Sequence, residues 1–285
     1  MKFKQHLIDL FKRYALAFIL GSILGLLLLT LGIAENSFDK VCGYLLTMIG
    51  CFLVSEFFYF SGQPQLVDWK IKHPGNELLV VIASQVIVIG VLCYWFLVID
   101  QQTASQCVKI LIMLLRILFV FPVFFLIYFL AIKKYTLKEL GILRFNFWYV
   151  SLPLIVLIGG VAYLIFPDGL QFQDVLKTNG YLAFITLGFL TASIPEEITR
   201  VLLQTRLYGL LKNKSFAWFS ASFVWALFHI PVFMFNGSNY YDACISALGI
   251  LPLGLLWGYL NERYRSILPS VIIHGTNLWG LQNIF

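Results

Sequence analysis

Long apolar runs alternate with short polar breaks along the whole chain. A bilayer core about 30 Å thick is crossed by roughly 20 apolar helical residues. Nine segments meet that length: approximately 14–34, 41–60, 78–99, 110–132, 147–166, 181–205, 216–235, 243–260 and 267–285. The sixth runs longest, because the apolar pattern resumes in Val201, Leu202 and Leu203 after a charged cluster. The pattern predicts an all-α fold, a polytopic transmembrane helical bundle of about nine spans. The first run, Tyr14 to Ala34, is too long for the apolar core of a secretory signal and has no A-x-A-like cleavage site, so it reads as a retained span.

Between the fourth and fifth spans, Thr136 to Phe147 reads as a short amphipathic helix on the cytoplasmic surface, with a plain loop as the alternative. It marks a joint between an N-terminal accessory region (1–135, four spans) and a C-terminal core (136–285, five spans). The sequence contains no internal repeat and no low-complexity tract.

The distribution of basic residues orients this bundle. With the N-terminus inside, the cytoplasmic segments hold 15 Lys and Arg, the outer loops hold 3 (Lys40, Lys109 and Lys177), and Arg116 and Arg200 fall within spans. This asymmetry follows the positive-inside rule and predicts N-in, C-out. It also removes a nucleic-acid partner, although the pI is near 9.0, because the cations are spread over separate loops.

Composition agrees, with 60% hydrophobic and only 12% charged residues and a mean hydropathy of +0.86. A soluble domain carries about 25% charged residues, so lipid is the implied solvent. The five cysteines have no CxxC spacing and read as small packing residues with no metal or disulfide framework. Asn236-Gly-Ser238 matches a glycosylation sequon, a three-residue pattern that also arises by chance.

Ionisable residues inside spans are costly and mark candidate sites. Glu196, Glu197 and Arg200 lie on span six, His229 on span seven, and His274 and Asn277 on span nine. Arg200 follows Glu196 by four residues and Glu197 by three, so on a helix it can pair with either. Adjacent carboxylates point about 100° apart, so one can be held by Arg200 while the other serves as a general base. The competing reading is a structural ion pair. His229, within FVWALFHIP, also fits a satisfied core histidine, and Asn277 a packing amide. Measured from the cytoplasmic ends of their spans, Glu196, His229 and His274 lie roughly 14, 20 and 12 Å deep at 1.5 Å per residue. Three helices thus bring polar groups to similar levels. A carboxylate, two imidazoles and an amide suit attack of water on an amide bond. A second pair, Glu56 and Arg116, reads as a structural ion pair between spans two and four.

In order and context these residues resemble the CPBP (Abi) family, which includes type II CAAX prenyl endopeptidases and bacteriocin-processing or immunity proteins. The motifs are IPEEITRVLLQTRL with Glu196, Glu197 and Arg200, WALFH with Trp225 in place of a usual Phe and with His229, and RSILPSVIIHGTN with His274 and Asn277. The likeness covers about Leu140 to Asn277. Two spacings depart from it: Arg200 follows Glu197 after two residues where the family has three, and Asn277 follows His274 after two where the family has three. The resemblance implies a multi-pass protein of the bacterial plasma membrane that hydrolyses a membrane-associated peptide without a cofactor or an obligatory metal. Glu196 and His229 would activate water, His274 and Asn277 would stabilise the oxyanion, and Arg200 would orient the glutamate pair. A zinc site built from Glu and two His fits by ligand type. The altered spacings keep open a non-catalytic immunity or scaffold protein that binds a bacteriocin, sensor kinase or exporter. A transporter is a weaker reading, because neither an inverted repeat nor paired broken helices are evident.

Overall fold

The computed structural model describes residues 2–62, 66, 68–98, 127–142, 148–165, 180, 186–235 and 237–277. All regular structure among them is helical. The helices are α1 (Lys2–Arg13), α2 (Ala15–Ala34), α3 (Phe38–Gly62), α4 (Pro74–Val98), α5 (Ser151–Ile165), α6 (Ile194–Leu211), α7 (Lys214–Leu227), α8 (Ile230–Phe235), α9 (Tyr240–Tyr264) and α10 (Leu268–Asn277). Ile127–Ile132 and Thr186–Ser193 are π-helical, and Trp148–Val150 is a 3₁₀ turn leading into α5.

The protein is a multi-pass membrane protein. Four stretches of the described residues are long and apolar enough to cross a bilayer: Ala15–Ala34, Phe38–Gly62, Lys214–Met234 and Tyr240–Tyr264. The last is the hub, with 78% of its apolar window buried against 22% for Ala15–Ala34. A helix that is apolar all round belongs inside a bundle, and α9 accordingly packs on α2, α3, α6, α7, α8 and α10. The peripheral helices turn large apolar side chains outward, among them Ile23 and Leu26 of α2, Leu46 of α3 and Val156 of α5. An apolar outer belt of this kind, on helices long enough to cross a bilayer, is a surface suited to lipid.

Several boundaries differ from the sequence pattern. The helix in the segment expected as span six continues six residues beyond Thr205, to Leu211, and that in the segment expected as span eight continues four residues beyond Leu260, to Tyr264. Arg206 and Arg263, assigned above to cytoplasmic segments, are therefore helical and buried, and Arg265, the left-handed residue just past α9, is buried as well. Each has an acidic partner: Arg206 Nε lies 3.0 Å from Glu77, Arg263 Nε 2.6 Å from Glu56, and Arg265 Nη1 2.6 Å from Glu262. Glu56 thus takes Arg263 as its cation, together with the Tyr259 hydroxyl and His6 Nε2. Arg116 lies outside the described residues. Lys2–Arg13 forms a separate helix, pinned by His6 to Glu56.

The segment expected as an amphipathic helix is a turn over residues 137–142, with 143–147 outside the described residues. Thr136 N–H donates to Glu139 Oε2 and Glu139 N–H donates to Thr136 Oγ, a reciprocal helix-start pattern. Gly141 ends it at once with φ +72°, and a Cβ there would lie 1.9 Å from the Trp69 ring. Only glycine satisfies both conditions.

Candidate active site

The polar residues gather around the start of α6. Pro195 has no N–H to donate into the preceding turn, and the chain passes from π-helical to α-helical spacing just before it, at Ile194. Such register changes recur at functional sites. Glu196 and Glu197 follow in the first turn and point to different surroundings.

Glu197 is the inner carboxylate, with a fully buried side chain. Its Oε1 lies 3.2 Å from Arg200 Nη2 and accepts from Arg200 Nε at 3.3 Å. The same oxygen lies 3.1 Å from His274 Nδ1, and Oε2 accepts from Asn261 Nδ2 at 2.9 Å. Of the two pairings open to Arg200, the structure contains the three-residue one. Arg200 also donates to the Gly254 carbonyl at 3.1 Å, and its guanidinium lies 4.1 Å over the Trp225 ring. Gly254 makes this approach possible, since a Cβ there would sit 2.7 Å from Trp225 and 3.1 Å from Arg200 Nη1.

Glu196 is the outer carboxylate, with a side chain 24% exposed. Its Oε2 accepts from Trp225 Nε1 at 2.6 Å and lies 3.7 Å from His229 Nε2 and 3.6 Å from His274 Nε2. Glu196 is thus flanked by both imidazoles. An indole in place of the phenyl ring at position 225 supplies a donor that phenylalanine lacks.

His229 sits where the helix of the apolar stretch Lys214–Met234 is interrupted. The chain turns at Phe228 and His229 between α7 and α8, because Pro231 lacks the N–H that would continue the helix. His229 Nδ1 lies 3.0 Å from the Trp225 carbonyl oxygen. A carbonyl only accepts, so Nδ1 carries the hydrogen, and in the neutral ring Nε2, facing Glu196, is a lone pair. His274 is clamped flat against Trp257, with ring centroids 3.9 Å apart and planes 10° from parallel. Its Nδ1 contacts the Glu197 carboxylate and therefore donates.

Asn277 is the last residue of α10, buried three residues beyond His274. Asn261 escapes the sequence pattern, because it lies one residue past the apolar run that ends at 260. Asn261 is fully buried, and its Oδ1 accepts from Ser270 Oγ at 2.7 Å, which leaves its Nδ2 to donate to Glu197. The available signal was its position four residues after Trp257, on the same helix face. Among the described residues, no group of three or more His, Cys, Asp or Glu side chains converges as a metal-binding set.

Residues 178–279 match the family model for type II CAAX prenyl endopeptidase Rce1-like proteins, which belong to the CPBP family. All the candidate residues, and Asn261, lie inside this segment. No curated protein and no solved structure matches the chain.

Proposed function

Starting from the place of residues 178–279 in the CPBP family, we propose that the protein is an intramembrane endopeptidase that uses Glu196 to activate water against a membrane-associated peptide. The observation that carries this reading is the position of Glu196 between His229 and His274, 3.7 and 3.6 Å from their Nε2 atoms. Two acceptors, the Glu196 carboxylate and the His229 lone pair, can take the two hydrogens of one water and leave its oxygen lone pair for the carbonyl carbon. Attack transfers the water proton to Glu196. Collapse of the tetrahedral intermediate breaks the C–N bond, and the leaving amine takes that proton.

The oxyanion needs donors. His274 supplies one at Nε2 in its imidazolium form, for which Glu197 is the counter-ion at Nδ1, and Asn277 supplies a second. Arg200 and Asn261 fix Glu197, so their role is positioning. With nine spans and the N-terminus inside, as the sequence pattern predicts, this cluster would sit near the cytoplasmic half of the bilayer, where the substrate bond would lie.

The test is cleavage of a membrane-peptide library by purified protein in liposomes, with and without a chelator. Glu196→Gln and His229→Ala should each lower the rate by about 10²–10⁴-fold while unfolding temperature holds, and chelation should have no effect. Wild-type rates in Glu196→Gln would overturn the mechanism. If no peptide is cut and Glu196→Gln complements a knockout, the non-catalytic binding protein becomes the correct reading.

A further inference from the structure

A long apolar slot lies on the side of α9 away from Glu196, walled by α2 and α3 and floored by α9 and Trp218, with a volume of about 670 Å³. Its lining contains no charged residue. The polar atoms that reach it are already engaged: Ser22 Oγ donates to the Phe18 carbonyl, Trp218 Nε1 to the Leu255 carbonyl, and the Tyr259 hydroxyl to Glu56. The slot therefore offers an occupant apolar contact, from aliphatic side chains and from the rings of Phe11, Phe18, Phe52, Trp218 and Tyr259. Along α2 the lining runs from Ala17 to Leu29, about 18 Å at 1.5 Å per residue, which matches an extended acyl chain.

The slot exists because α2 is small where it passes. Gly21 and Gly25 line it, and a Cβ at either would meet a single leucine methyl, at 3.9 and 3.8 Å. Among the described residues, nothing presses on these glycines closely enough to require them.

The two ends of the slot differ in charge. Phe11 closes one end, and Lys12 and Arg13 follow it directly, both exposed. At the other end the lining stops at Leu29 and Cys42, and the chain between them carries exposed Glu35, Asp39 and Lys40, one negative charge net. We propose that the slot binds an acyl chain of an anionic phospholipid whose phosphate is held by Lys12 and Arg13. This site is separate from the Glu196 cluster, and binding does not depend on peptidase activity.

The experiment measures binding of phosphatidylglycerol and phosphatidylcholine to the purified full chain by native mass spectrometry, with unfolding temperature as a second readout. Wild type should prefer phosphatidylglycerol, and Lys12→Gln/Arg13→Gln should erase that preference, a loss of about 30-fold at roughly 1 kcal/mol per cation. Gly25→Leu should weaken both lipids alike. Equal affinity of wild type for the two lipids, or an undiminished preference in Lys12→Gln/Arg13→Gln, overturns the proposal. So does a dimer that Gly25→Leu dissociates, since the slot would then hold a second copy's helix. The Lys12→Gln/Arg13→Gln variant changes only exposed side chains, so it remains decisive if Gly25→Leu fails to fold.

Discussion

Asn261 donates to Glu197 Oε2 at 2.9 Å across the interface between α9 and α6, two helices whose residues here are 64 positions apart. Arg200 and His274 occupy the other oxygen of the same carboxylate. Asn261→Ala would leave a buried carboxylate oxygen without a donor, at a cost of about 1–3 kcal/mol. Ser270→Ala should cost less, because Asn261 keeps its contact with Glu197. Thermal unfolding of both variants in one detergent checks the order. In the peptidase assay Asn261→Ala should lower kcat more than it raises KM, which simple destabilisation would not do.

Gly254→Val tests the close approach of α9 to Arg200 and Trp225. The added methyls have no space beside the Trp225 ring, so the strain should cost about 1–3 kcal/mol. The displaced Trp225 would also release Glu196 Oε2. A red shift of Trp225 emission in a variant retaining that tryptophan alone is the expected signature.

Arg263→Met should destabilise by about 3–5 kcal/mol, because it leaves Glu56 charged and buried without its cation. Glu56→Gln/Arg263→Met should recover most of that loss, since the double variant leaves no uncompensated charge buried. A double-mutant cycle of unfolding free energies measures the difference.

The turn at 136–142 carries a pH dependence of its own. The Lys70 ammonium, 2.5 Å away, and the Thr136 N–H hold the Glu139 carboxyl down at about 2, below its ordinary 4.5. A depressed carboxylate contributes stability that is complete above 4.5 and lost as pH falls through about 2. A carboxyl-carbon NMR titration should show this low midpoint in wild type, and Lys70→Gln should move it up toward 4.5.

The helical pattern was legible because lipid demands it: runs of roughly 20 apolar residues have few alternatives in a bilayer. Helix ends were harder to read. Arg206, Arg263 and Asn261 carry polar side chains that hydropathy places outside a span, yet each is buried because its partner comes from a distant helix. The candidate cluster was legible through the cost of charge in lipid, which drew attention to Glu196, Glu197, His229 and His274. The partner of Arg200 could not be read, because three- and four-residue spacings both face the same side. The helix rotation that selects Glu197 is set by Gly254 and Asn261 on α9.

The pairing of Glu56 with Arg263 spans 207 positions, and this separation also orders events in time. At 5–20 residues per second, Arg263 is synthesised about 10–40 s after Glu56. Glu77 waits for Arg206 across 129 positions in the same way. During that interval α3 carries an acid whose one available described partner is His6, made 50 positions earlier. The N-terminal helices are therefore inserted first and fastened last. Completion of α9 is the step that locks them, so a chain halted before Arg263 should remain open to quality-control proteases at α3.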